Sequence, residues 1–148
     1  MIGESIETVA LGRQVLAAAG MMLVVTIAHT LGLTTISKTL KLRTERLKEM
    51  DFSLLSLGLT AGMALMLLLL HSLEIALFAL FYLAIGAMGA LEEALYCSAS
   101  AYTTLGRTAD YFPHDWRLFG AIEALIGFLM IGWSTAFIVS KANRLMPD

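Results

Sequence analysis

A chain of 148 residues that is 58% hydrophobic and 15% charged carries more apolar surface than a soluble core can hide, since soluble domains are about half apolar. Its long uncharged stretches suit a bilayer, where about 20 apolar residues make one helical span. The net charge of -2 comes with no basic face for nucleic acid, and the single cysteine, Cys97, excludes both an internal disulfide and a cysteine-based zinc motif.

Met1 to Ala10 contains Glu4 and Glu7 where a secretory leader would be basic, so the long apolar run after it reads as a retained helix. That first helix is expected over about Val15 to Ile36. Between Lys38 and Asp51 lie Lys38, Lys41, Arg43, Arg46 and Lys48, five of the ten Lys and Arg. A basic excess in a short loop marks the cytoplasmic side and sets the N-terminus outside. Residues 1–51 are thus expected to be an N-terminal transmembrane helix with a basic cytoplasmic loop.

Phe52 to Ile85 is apolar apart from an interruption at His71-Ser72-Leu73-Glu74. One helix of this length reaches about 50 Å at 1.5 Å per residue, more than the roughly 30 Å hydrocarbon core. Two helices turning at His71 would each be marginal, and a hairpin would send Lys141 and Arg144 outside, against the positive-inside rule. One long helix is therefore expected, tilted or running partly along the interface. After Gly86-Ala87-Met88-Gly89, Leu91 to Thr104 reads as a helix too short to span, with Glu92 and Glu93 at its positive N-terminal end. Leu105 to Asp115 is irregular, and Trp116 to Ser140 can cross once more. Irregular backbone at membrane depth is tolerated only where protein or a water-filled cavity surrounds it, which implies a pore or an enclosed cavity.

The order of outer helix, glycine turn, short helix, Thr103-Thr104-Leu105-Gly106, a proline loop, then Trp116-Arg117-Leu118-Phe119 and a last helix with Gly132-Trp133-Ser134-Thr135 resembles the pore unit of small bacterial potassium channels. The resemblance covers about Phe52 to Ala142 and leaves the first helix as an addition. It implies an all-α membrane protein of three transmembrane helices plus a re-entrant pore helix and filter loop, with residues 52–148 as the pore domain. It also implies a homotetramer, because one loop supplies a quarter of a filter. The protein's partners would be the bilayer of the cell's inner (plasma) membrane and its own copies, with the C-terminus cytoplasmic. No cofactor is expected beyond a permeant potassium or sodium ion. Ser98, Ser100, His114 and Asp115 have no nucleophile-and-base spacing, so no enzyme activity is expected.

In that family a Thr-Val-Gly-Tyr-Gly-Asp loop lines the axis with carbonyl oxygens that replace the ion's water shell. Thr104, Leu105 and Gly106 match its first half. The spacing to Trp116 is kept, so Arg107, Thr108 and Ala109 stand directly for Tyr-Gly-Asp, followed by Asp110. Arg107 brings a permanent charge, Thr108 puts a β-branched residue where positive φ is expected, and Ala109 removes a carboxylate. Four Arg107 side chains about 8 Å from an ion would together oppose it by ~8 kcal/mol at an effective dielectric of 20. Turned away, they would pair with Asp110, Glu92 or Glu93. The family comparison thus implies passive cation conduction with weakened potassium selectivity. The alternatives are a non-conducting regulatory subunit and an anion or proton pathway.

Four ionisable groups fall within apolar runs: His29, His71, Glu74 and Glu123. Such groups usually face the interior of a bundle, paired. His71 and Glu74 share a helix face, and matching depth suggests a cluster of His71, Glu74 and Glu123. Gly127 and Gly132 are candidate hinges or close-packing sites. Ser134 and Thr135 either line the inner vestibule or bond to their own helix.

Overall fold

The structure, a computed structural model, describes residues 2–46, 52–106 and 112–145, with side chains over 9–40, 57–106 and 112–141. Regular structure among these residues is entirely helical: α1 (Ile2–Arg46), α2 (Phe52–Ala84), α3 (Leu91–Tyr102), a single 3-10 turn at His114–Trp116, and α4 (Arg117–Leu145). Three segments are long and apolar enough to cross a membrane, Val9–Leu40, Leu57–Ala84 and His114–Lys141. The protein is therefore an all-α chain compatible with a multi-pass membrane protein.

The first helix differs from expectation in extent, whereas α2 is the single long helix expected. The first helix does not stop near Ile36 but runs on to Arg46, so the basic segment is helical through that residue. The polar interruption at His71 and Ser72 leaves α2 unbroken. No glycine or proline lies between Met63 and Ile85, and the Ser72 hydroxyl donates to the Leu68 carbonyl at 2.8 Å, within its own helix. Thr30, Thr34, Thr35 and Thr39 treat α1 in the same way, each donating to the carbonyl four residues back. Hydroxyls tied down like this add no unpaired donor to an apolar medium.

Helix α2 ends where glycine allows it. Gly86 takes φ +69°, the Gly86 amide reaches the Leu83 carbonyl and the Ala87 amide the Tyr82 carbonyl. That pair of bonds is a Schellman cap, which consumes carbonyls that would otherwise face the bilayer.

The order of contacts along each helix sets directions. Buried α1 residues recur every three or four positions (Gln14, Ala18, Val25, His29, Leu33, Ile36, Leu40), forming one interior stripe. His29 meets Glu74, and later in α1 Leu33, Ile36 and Leu40 pack in one cluster with the earlier α2 residues Met63, Leu67 and Leu70, so α1 and α2 are antiparallel. The Gln14 side-chain oxygen accepts the Phe119 amide at 3.2 Å, and Lys141 donates to Ser37 at 2.8 Å, so α1 and α4 are parallel. Near the start of α4 the aromatics form a packed group. Phe81 stacks on Phe119 at 4.7 Å, Trp116 meets Phe81 edge-on at 5.9 Å, and Tyr82 meets Phe112 at 5.4 Å. Arg13 covers Trp116 at 4.9 Å, which brings the start of α1 to the same end.

The short helix α3 lies between α2 and α4 and runs in the direction of α4. Ser98 faces Glu123, and one turn later Tyr102 faces Gly127. A Cβ on Gly127 would sit 2.2 Å from the Tyr102 carbonyl oxygen, so this close approach of two backbones requires glycine. At Gly132 a Cβ would meet nothing within 4 Å. Gly127→Ala should therefore push α3 from α4 and lower stability by about 1–3 kcal/mol, whereas Gly132→Ala should change it by less than about 0.5 kcal/mol. Thermal unfolding of the two variants in detergent checks this contrast.

Candidate functional site

Carboxylates in an apolar interior need hydrogen-bond donors or cations, since an unpaired buried charge is prohibitively expensive. Glu74 and Glu123 are both fully buried. Their partners come from α1, α2 and α3, and α3 supplies one to each carboxyl from Ser98 and Tyr102, four residues apart on one helix face.

Glu74 on α2 is the centre of the larger network. His29 from α1 places Nδ1 2.7 Å from Glu74 Oε1. The Tyr102 hydroxyl donates to Oε2. His71 Nδ1 lies 3.1 Å from the same Oε2 and 2.9 Å from the Tyr102 oxygen. Three helices thus meet at one carboxylate. One donor atom from each of His29, His71 and Glu74 lies within 4.8 Å of the other two. His29 Nε2 is buried with no hydrogen-bond partner among the described residues, and the Trp133 ring lies 5.4 Å from the imidazole, centre to centre.

Glu123 on α4 is the centre of the second network. The Tyr82 hydroxyl donates to its Oε2. Ser98 Oγ lies 2.6 Å from Oε1 and 2.9 Å from the Ile75 carbonyl. The Ser98 hydroxyl has one hydrogen and cannot serve both acceptors. A hydrogen on Glu123 resolves the count: the carboxyl donates to Ser98, Ser98 to the Ile75 carbonyl, and Tyr82 to the other carboxyl oxygen. The geometry therefore fits a neutral Glu123.

Of the trio expected to cluster, the structure brings together His71 and Glu74, while Glu123 bonds elsewhere. The antiparallel register of α2 and α4 sets Glu123 opposite Tyr82, eight residues beyond Glu74 and about 12 Å along the helix at 1.5 Å per residue. His29, Tyr82, Ser98 and Tyr102 complete the two networks. His29 carries a sequence signal, as an ionisable residue inside an apolar run. The tyrosines carry none, because in apolar helices they read as packing residues.

The candidate filter residues Thr103, Thr104, Leu105 and Gly106 follow directly on Tyr102 and are all exposed in the single chain. Thr104 has φ +58° and Gly106 φ +68°, and Thr104 is the one positive-φ residue other than glycine among the described residues. Arg107, Thr108, Ala109 and Asp110 lie outside the described residues. Beside the loop, Cys97, Thr104, Gly106, Phe112, Arg117 and Gly120 border a cavity of about 330 Å³. Further along α4, Thr135 donates to its own helix at Ile131, and the Ser134 hydroxyl is buried without a partner among the described residues.

No protein-family model, curated protein or solved structure matches this chain.

If Glu123 is neutral, Glu123→Gln keeps both partners and should unfold within about 1 kcal/mol of the parent. Glu123→Ala leaves the buried Tyr82 hydroxyl without its acceptor and should cost about 1–3 kcal/mol for that group, besides the cavity it opens. Thermal unfolding of the two variants tests the assignment. Equal damage in both would mean that Glu123 carries a charge.

Proposed function

We propose that this chain is one subunit of a homotetrameric ion pathway of the potassium-channel type, with Thr103 to Gly106 forming the inner part of its filter. The observation that carries the reading is the alternation of backbone handedness. Thr104 and Gly106 have positive φ, while Leu105 between them does not. Alternating hands turn successive carbonyls toward one side, which is what a ring of ion-coordinating oxygens requires. An ordinary helix end accounts for one left-handed residue and normally places glycine there. Here the first left-handed residue is a β-branched threonine and a second follows two positions later, so strain is retained at the expected site.

Two further observations support the reading. Helix α3 runs alongside the first ten residues of α4, so Tyr102 lies about 15 Å along that helix at 1.5 Å per residue, near the middle of a roughly 30 Å hydrocarbon core. A short helix that stops at mid-depth and hands over to non-helical chain fits a re-entrant segment. Thr103 to Gly106 is also exposed, with Leu105 at 75%. Non-helical backbone at that depth needs protein or water around it, which neighbouring copies about a shared axis would supply.

In this reading the N-terminus is outside and the C-terminus cytoplasmic, following the basic residues from Lys38 onward and at Lys141 and Arg144. The membrane is the cell's inner (plasma) membrane. Arg107-Thr108-Ala109 in place of Tyr-Gly-Asp leaves the outer ion sites incomplete, so the cation pathway discriminates weakly between potassium and sodium. The pore chemistry uses no covalent step and no cofactor. The Glu74 and Glu123 networks hold α3, and through Tyr102 the loop that follows, at a fixed depth.

Planar-bilayer recording of purified protein, with its mass determined in detergent, tests the proposal. Cation currents from a tetramer with similar potassium and sodium permeability are expected. The combined substitution Arg107→Tyr, Thr108→Gly and Ala109→Asp should raise potassium over sodium by at least about tenfold, as a completed set of carbonyl sites would. A tetramer silent across cations and voltages would favour a regulatory subunit. A reversal potential that follows chloride or pH would overturn the cation pathway.

A further inference from the structure

We propose that His29, His71 and Glu74 form a binding site for a divalent transition-metal ion of the zinc class, with the Tyr102 oxygen available as a fourth donor. The chain has three histidines, and two of them converge from different helices on one buried carboxylate. Their donor atoms all lie within 4.8 Å of one another. Around a tetrahedral ion with bonds of about 2.0–2.1 Å, neighbouring donors stand about 3.3–3.4 Å apart. His29 Nδ1 to Glu74 Oε1 is 2.7 Å and His71 Nδ1 to Oε2 is 3.1 Å, so these pairs open by about 0.2–0.7 Å, with one carboxylate oxygen taken as the ligand. No two of the three donor atoms are more than 4.8 Å apart, so the widest pair closes by at most about 1.4 Å.

The donor set selects the metal. Two imidazoles and a carboxylate suit zinc and its neighbours in the transition series, whereas calcium and magnesium prefer all-oxygen sites. The His29 and Glu74 side chains are fully buried, while His71 keeps 18% exposure in the single chain.

An independent feature is His29 Nε2, which has no hydrogen-bond partner among the described residues. When Nδ1 carries the hydrogen and donates to Glu74, Nε2 is a buried lone pair with nothing to accept. A metal on Nδ1 moves the hydrogen to Nε2, and the Trp133 ring 5.4 Å away is a neighbour that a buried N–H can use. Binding releases the hydrogens now shared among Nδ1 and the carboxylate and cross-links α1 to α2. The inference does not depend on ions passing through the protein, so its outcome is separate from that of the pore.

Untagged protein in detergent, stripped with a chelator, is incubated with zinc, desalted and assayed for metal. About one zinc per chain is expected, with cobalt giving the visible bands of a tetrahedral site. Glu74→Gln and His29→Gln should each weaken zinc binding by at least about tenfold. His114→Ala, which removes the exposed third histidine, should bind as the parent does. Zinc should also raise the unfolding temperature of the parent but not of Glu74→Gln. Retention of less than about a tenth of an equivalent by the parent, or binding by Glu74→Gln equal to the parent's, overturns the proposal. If one variant fails to fold, the other variant and the parent's stoichiometry still decide.

Discussion

Two carboxyl groups inside an apolar helical bundle set the terms for everything around them. Glu74 and Glu123 are fully buried, and each would be intolerable in hydrocarbon without donors at hydrogen-bond distance. Their hydrogen-bond partners are His29 on α1, His71 and Tyr82 on α2, and Ser98 and Tyr102 on α3. A short helix of 12 residues is too weak to hold its own position by packing alone. Polar bonds to both flanking spans fix its depth and its rotation, and Gly127 lets its end come into backbone contact with α4.

This arrangement gives the first helix a structural task. Its interior stripe brings His29 to Glu74 and Gln14 to the amide of Phe119, so α1 touches both networks' surroundings through polar groups as well as through apolar packing. A change at His29 would reach Tyr102 through a single carboxylate, and Tyr102 is the residue immediately before the exposed loop. Coupling along such a path rests on direct contacts between neighbours rather than on distance.

The membrane class and the three spans were legible in the sequence because charge is absent over lengths that match a bilayer. The short α3 was legible from its glycine boundary and the glutamates of its first turn. The end of α1 was not, since Lys, Arg and Glu are good helix formers and carry a helix out of the apolar region without a change of pattern. The pairing of Glu123 was also hidden. Depth counted from helix ends is too coarse when α2 is 33 residues long and α4 is 29, because a slip of two turns exchanges one partner for another. Tyr82 and Tyr102 were invisible as partners because a tyrosine in an apolar run has the hydropathy of a packing residue, and its hydroxyl acts only in three dimensions. The positive φ at Thr104 likewise has no signature in a residue type that normally avoids it.

The proposed pore requires that α3, held between two buried carboxyl groups, deliver Thr103 to Gly106 to an axis shared by four copies. An electron cryomicroscopy map of the protein in lipid nanodiscs tests it directly. The account predicts fourfold symmetry with the carbonyls of these residues directed at the axis and α3 bonded to Glu74 and Glu123. A monomer or dimer, or a loop that faces lipid instead of an axis, would contradict it.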